Sequence, residues 1–276
     1  MAKQSIKVGL ALGGGAARGI AHVGVIQALE ERDIPIDLIA GCSMGAVIGA
    51  IYACGVTTQF LQRIIYSLRD SDILDVVVPR QGLVKGKRAQ ELVLTLTGNR
   101  RFDQTVIPLA VTAVQLDTGT LLTLNEGPIH EAVRASFSIP GAFRPVPYNG
   151  KILVDGGVLE RVPVQCARDM GADVVIAVDV GYRGGEMLEQ GSGIIAVMMR
   201  SLEIMEWEVM RRQGTTADVL INPPLRGINM LSLADAHQAI ELGYEETMRR
   251  MPEIEEAIER ALGKRDGQQT QAADED

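Results

Sequence analysis

Leu38 to Val56, LIAGCSMGAVIGAIYACGV, holds no charged side chain and is about as long as the ~20 residues a helix needs to cross a bilayer. Gly41, Gly45 and Gly49 also have the small-xxx-small spacing of helices that pack inside membranes. The same residues divide differently in a soluble fold. Ile36 to Ala40 then forms a buried strand, Gly41-Cys42-Ser43-Met44-Gly45 a tight turn, and Met44 to Ala53 a buried helix stopped by Gly55. Length and hydropathy fit both divisions, so the flanking sequence has to decide.

Upstream, Ile6 to Leu12 is a short apolar strand that runs into Gly13-Gly14-Gly15-Ala16-Ala17-Arg18-Gly19. Arg18 to Arg32 follows as a helix, with Ile20, Val23, Ile26 and Leu29 at helical spacing, and Asp33-Ile34-Pro35 breaks it. Strand, helix, strand, helix is the order of a parallel α/β sheet. Downstream, Thr57 to Leu68 and Lys87 to Leu96 read as helices around a loop with Pro79 and Gly82, a candidate lid or rim. Asp117-Thr118-Gly119 joins a hairpin of Val106 to Leu116 with Leu121 to Leu124. Pro128 to Phe137 reads as a helix, and Asn149-Gly150 turns the chain into a strand over Lys151 to Val154. Ala172 to Val180 and Val219 to Ile221 are further strands, Gly193 to Arg212 is a long helix, and helices continue to Leu262. One domain over residues 1–263 is expected, with a disordered tail over 264–276, where KRDGQQTQAADED has almost no apolar content.

A hydrophobic content of 46% with only 4% aromatic residues predicts a substantial aliphatic core. The formal net charge of -8 argues against nucleic acid, which needs a concentrated basic face. Cys42, Cys54 and Cys166 cannot all pair, and the glycines and Arg18 stand where a signal peptide would need an apolar stretch, so a reducing cytoplasm is expected.

Three elements carry chemistry. Gly41 to Gly45 is a GxSxG sequence between a strand and a helix, a context that exposes the Ser43 hydroxyl and offers helix N-terminal N–H groups to a developing oxyanion. Gly13 to Gly19 can converge backbone N–H groups on an anion; an oxyanion hole and a nucleotide site both fit, although Arg18 breaks GxGxxG and no Gly-Lys-Ser/Thr follows. Asp155-Gly156-Gly157 ends a strand, where Asp155 can either accept a proton from a serine or simply make a turn. A carboxylate base for a hydroxyl requires a partly desolvated site.

Taken together, these elements stand in the order and settings found in patatin-like phospholipases, and the chain resembles the bacterial branch of that family. RASFSIPGAFRPV, Arg134 to Val146, and GIAHVGV, Gly19 to Val25, are similar to family blocks, and the resemblance covers roughly positions 6–180. It implies an α/β fold, a three-layer α/β/α sandwich with a mostly parallel central sheet. It implies a Ser-Asp dyad with Ser43 as nucleophile and Asp155 as base, an oxyanion hole at Gly14, Gly15, Ala16 and Arg18, and Gly13, Gly19, Gly41, Gly45, Gly156 and Gly157 as motif glycines. The substrate it implies is an acyl ester of a phospholipid or lysophospholipid. No Cys/His/Asp cluster has metal-ligand spacing and no calcium loop stands in the chain, so no metal and no cofactor are expected, and the cytoplasmic reading extends to peripheral contact at the inner membrane surface. The family pattern often has glycine where Ala16 falls, and its plant members have aspartate where Gly13 stands. An elbow at Ser43 would divide Leu38 to Val56 and so weighs against a membrane span.

Other functions remain open: a soluble carboxylesterase or thioesterase, a non-catalytic regulatory or adaptor protein on the same fold, and a nucleotide-binding regulator. A Ser-Asp-His triad would have to use His237, whereas His22 is expected to be a packed residue. Cys42 is expected to be buried and inert, pointing away from Ser43. Arg18 either binds an anionic group or fixes the glycine loop. Met198, Met199, Met205, Met210 and Trp207 in the long helix are expected to pack in the core, with an acyl-chain or membrane surface as the alternative.

Overall fold

The computed structural model describes residues 6–73, 75, 84–185, 193–214 and 216–273, so the loop with Pro79 and Gly82 lies outside the described residues. Val8–Leu12 forms β1, a fully buried strand. A short 3₁₀ turn over Ala16–Ile20 leads into helix α1 (Ala21–Glu31). β2 (Leu38–Cys42) pairs parallel to β1, and helix α2 (Met44–Ala53) leaves it directly after Ser43. The uncharged segment is therefore a strand and a helix, both buried, and among the described residues no helix is long and apolar enough to cross a membrane.

α3 (Thr58–Ser67) starts where the Thr57 hydroxyl accepts from the Phe60 N–H, and α4 (Asp70–Ile73) and α5 (Lys87–Leu96) follow. β3 (Leu109–Gln115) and β4 (Thr120–Leu124) form an antiparallel hairpin, and α6 (Ile129–Ser136) begins after Pro128. β5 (Val146–Tyr148) and β6 (Lys151–Asp155) form a second hairpin. Its turn residues Asn149 and Gly150 have φ 47° and 75°, the left-handed pair that a tight two-residue turn requires. α7 (Val164–Asp169), β7 (Val174–Val178), α8 (Ile194–Gln213), β8 (Val219–Ile221) and α9 (Ala236–Ala273) complete the chain. In place of several helices, α9 is one helix with Pro252 inside it, and it continues through 264–273, where composition predicted a disordered tail. Lys, Arg, Gln and Ala are good helix formers, and extending a packed helix avoids the cost of nucleating one.

The strands lie in the order β5-β6-β3-β2-β1-β7-β8, with β4 also on β3. β3, β2, β1, β7 and β8 are parallel neighbours, and β4, β5 and β6 join antiparallel. Alternating side chains sort to two faces. Leu10, Leu12, Ile39, Val111, Ile176 and Val178 join the larger core with residues of α1, α2 and α9. Ala11, Ala40, Ala110 and Ala177 face a thinner one with Val164, Cys166 and Ala167 of α7. The result is the expected α/β/α sandwich. On its thicker side α1 and α9 approach almost backbone to backbone, since a Cβ at Gly24 would lie 1.9 Å from the Ile240 carbonyl oxygen.

Candidate active site

The sheet register brings Ser43 and Asp155 together. Cys42 lies opposite Thr112 of β3 and Asp155 opposite the adjacent Ala113, so the ends of β2 and β6 meet on neighbouring residues of one strand. Ser43 has φ 52° and ψ −120°, strained values for a residue with a side chain, held by its surroundings. Its N–H donates to Ser136 Oγ at 3.0 Å. α2 starts hard against the end of β1, where a Cβ at Gly45 would lie 2.1 Å from the Leu12 carbonyl oxygen. Only glycine fits there. Gly41 packs against Ala46 and Gly19 against Met44, which closes the same elbow from both sides.

The Asp155 carboxylate accepts hydrogen bonds from the Ser43 hydroxyl, from the Gly157 N–H at 2.8 Å and, more weakly, from the Cys42 thiol at 3.7 Å. Its own N–H donates to the Ser138 carbonyl at 3.0 Å. Ser136 thus holds the Ser43 backbone and Ser138 the Asp155 backbone, which gives the Arg134 to Val146 block a physical role. Arg134 anchors that block from beneath, donating to Ser138 Oγ at 2.6 Å and to the Arg144 carbonyl at 3.0 Å. Asp155 is 3% exposed, and burial pushes its carboxyl up to about 6 against the lowering pull of its three donors. Cys42 is buried as expected, and its thiol turns toward Asp155; burial and the carboxylate raise that thiol well above the usual range, which keeps it inert.

In the glycine loop, the Gly13 N–H donates to the Val178 carbonyl at 3.0 Å and the Gly14 N–H to the Arg161 carbonyl at 2.9 Å. The Arg18 N–H donates to the Gly15 carbonyl at 3.1 Å. Among the described residues, the amides of Gly15 and Ala16 have no acceptor in the backbone network. Of the four residues expected at the oxyanion hole, these two keep their donors available, and both line the same cleft as Ser43. Ala16 has φ 48°, the left-handed region that glycine favours, which explains glycine in the family pattern at this place. The wall of Gly14 packs on the serine itself, since a Cβ there would stand 3.2 Å from Ser43 Cβ.

His22 is fully buried and its Nε2 donates to the Gly13 carbonyl at 2.8 Å, fixing the loop. Burial lowers its imidazole to about 4, so the ring is neutral at pH 7. His237 stacks on Tyr66 and His130 Nδ1 meets Gln90 Nε2, so neither serves as a partner of Ser43.

A family model described as patatin-like phospholipase matches residues 10–168, a span that contains the glycine loop, Ser43 and Asp155. The chain belongs to the patatin-like phospholipase family. An uncharacterised NTE family protein of Mycobacterium tuberculosis is 38% identical over 183 residues, covering 64% of this chain and 49% of that protein. The lysophospholipase NTE1 of Debaryomyces hansenii is 35% identical over 182 residues, 63% of this chain and 12% of that protein. The chain thus spans about half the length of the first relative and a small part of the second. The fold is also that of VipD from Legionella pneumophila, with a TM-score of 0.63 at 15% identity over 89% of this chain and 66% of that one.

In this patatin-like chain, α8 forms the outer wall of a cleft above the serine. Ile139, Tyr182, Met199, Leu202 and Met230 line it together with Glu203 and Glu206. Arg18 is 4% exposed and reaches Glu203 at 3.1 Å and the Ile228 carbonyl at 3.3 Å, so its side chain ties the glycine loop to α8. Core packing holds for Met199, but Met198 and Met205 are more than half exposed, because α8 covers the cleft with one face only. Ser136, Ser138, Glu203 and Glu206 complete the site without having stood out in the sequence; the two serines lie in the RASFSIPG stretch, the one available signal, whereas nothing local marks the two glutamates.

Proposed function

We propose that the protein hydrolyses acyl esters of phospholipids or lysophospholipids through an acyl-Ser43 intermediate. Ser43 Oγ attacks the ester carbonyl and passes its proton to Asp155, while the amides of Gly15, Ala16 and Met44 receive the oxyanion. The tetrahedral intermediate collapses, and the departing alcohol takes the proton from Asp155. Water then attacks the acyl-enzyme, again giving a proton to Asp155, and the fatty acid leaves as Ser43 is restored. The observation that carries this reading is the Ser43 hydroxyl hydrogen-bonded to a buried Asp155 whose carboxyl is raised to about 6, a stronger base than an ordinary carboxylate and still ionised at pH 7.

A lipid substrate is supported by the relatives' description as lysophospholipases and by the cleft, where Ile139, Met199, Leu202 and Met230 offer apolar walls to an acyl chain. The outward face of α8 exposes Ile194, Val197, Met198, Ile204 and Met205, which suits peripheral contact with a membrane from which the substrate is drawn.

The test is intact mass after a fluorophosphonate, alongside release of fatty acid from a lysophospholipid, for wild type, Ser43→Ala and Asp155→Asn. One adduct and turnover in wild type, both lost in Ser43→Ala and slowed at least a hundredfold in Asp155→Asn, is expected. A folded wild type that forms no adduct would overturn the mechanism and leave a binding role on this fold.

A further inference from the structure

Helix α8 directs two carboxylates into the cleft, and their settings differ. Glu203 is engaged by Arg18 Nη1 at 3.1 Å and by Arg200 Nε at 3.0 Å. Glu206, one helical turn on, has no hydrogen bond or ion pair among the described residues. It shares the cleft wall with Ser43, Asp155 and Gly157, and its Oε1 lies 3.2 Å from where a Cβ on Gly157 would stand. The Gly157 N–H is bonded to Asp155, so Glu206 is close to the dyad carboxylate.

The charges that act on Glu206 come from four places: Asp155 at the end of β6, Arg161 in the loop after it, Asp179 after β7, and Glu203 on α8 itself. Arg161 is committed to Asp179 at 2.9 Å and to the Tyr182 carbonyl at 3.0 Å, both buried. Glu203 is committed to Arg18 and Arg200. Asp155 and Glu206 are left as carboxyls on one cleft wall, neither of them in an ion pair among the described residues. Burial, and then the Asp155 charge, push the Glu206 carboxyl up to about 8, so at neutral pH it holds a proton and offers an O–H to the cleft.

We propose that Glu206 is a specificity-determining residue that selects esters by charge: protonated, it admits a substrate with an anion near the scissile ester, and ionised, it repels that substrate while neutral esters still enter. The proposal rests on the hydrolase reading above. It deepens that reading by placing a proton-controlled gate for anionic headgroups beside the dyad.

The experiment compares kcat/KM for two small esters, neutral p-nitrophenyl butyrate and mono-p-nitrophenyl glutarate, whose free carboxylate is ionised throughout, from pH 6 to pH 9. Taking the ratio of anionic to neutral ester on each sample cancels the titration of Asp155 and any inactive fraction, so a variant that folds poorly still gives an answer. The wild-type ratio is expected to fall about tenfold across the Glu206 ionisation, the size of one like-charge repulsion in a half-dry site. In Glu206→Gln the ratio is expected to stay flat. A flat ratio in wild type, or an equal fall in Glu206→Gln, would overturn the proposal and leave the hydrolase reading intact. A wild type that turns over neither ester and forms no fluorophosphonate adduct would overturn both.

Discussion

Asp155→Asn should make the protein inactive and, above pH 7, more stable. The Asp155 carboxyl ordinarily titrates near 3.8 and is raised to about 6 by burial. Ionising it inside the fold therefore costs about 3 kcal/mol more than in the unfolded chain, at 1.4 kcal/mol per tenfold. The sign follows from the raised value: the folded state holds this proton more tightly, so the group's stabilising contribution is complete below 3.8 and is lost as pH rises through 6. Asparagine carries no charge and keeps an oxygen for the Gly157 N–H, and the charge assistance it forgoes is already contained in the net rise of the carboxyl. The expected gain is about 3 kcal/mol at pH 8, near 6–12 °C in Tm for a domain of this size, vanishing by pH 4. Urea unfolding of both proteins at pH 4, 6 and 8 measures it. A variant no more stable than wild type at pH 8, or a difference that does not change with pH, would refute the idea that Asp155 is held as a buried, costly anion.

Ser43→Gly and Ser43→Ala should both abolish fluorophosphonate labelling, but glycine should be more stable than alanine by about 1 kcal/mol, because only glycine relaxes φ 52°, ψ −120°; equal denaturation midpoints would mean the elbow is not strained. His22 is lowered to about 4 by burial, so its folded pKa lies below the ordinary 6.5 and wild type should lose up to about 3 kcal/mol as pH falls through that window. In His22→Gln the difference in stability between pH 7 and pH 4 should shrink accordingly, whatever the baseline loss from the Gly13 contact; an unchanged pH dependence would show that His22 protonates without opposing the fold.

The order of strands and helices was legible because the chain marks its breaks. Asp33-Ile34-Pro35 stops one helix, Gly55 another, and Asn149-Gly150 forces a hairpin whose two positive φ values appear as read. Ser43 and Asp155 were legible as motif positions, since each sits at the end of a strand. The amides available for an oxyanion were not, because the Gly14 donor is spent on the Arg161 carbonyl, a partner far along the chain. The continuity of α9 through Pro252 was not legible either. Locally a proline breaks a helix at about 3 kcal/mol, but Ile240 before it and Met251, Ile254 and Ala257 beside and after it are all buried in the main core, and that burial outweighs the lost bond. Glu206 is one glutamate among several on α8, and only the docking of that helix over the cleft distinguishes it.

A serine hydrolase without a histidine base has burial as its main means of adjustment. Burial raises Asp155, which would strengthen the base of the proposed dyad, while Gly15 and Ala16, half-buried at the cleft, would keep their amides open to an incoming carbonyl. The bonds that orient Asp155 work the other way, since the Ser43 hydroxyl, the Gly157 N–H and the Cys42 thiol each stabilise its ionised form. With burial outweighing them, the carboxylate is still ionised above about pH 6, which would set an acid limb for the proposed reaction. The proposed gate at Glu206 would add an alkaline limb for anionic substrates near 8, where its own charge begins to oppose the substrate. On this reading two carboxyls in different surroundings bracket neutral pH between them, the task that a single histidine performs elsewhere.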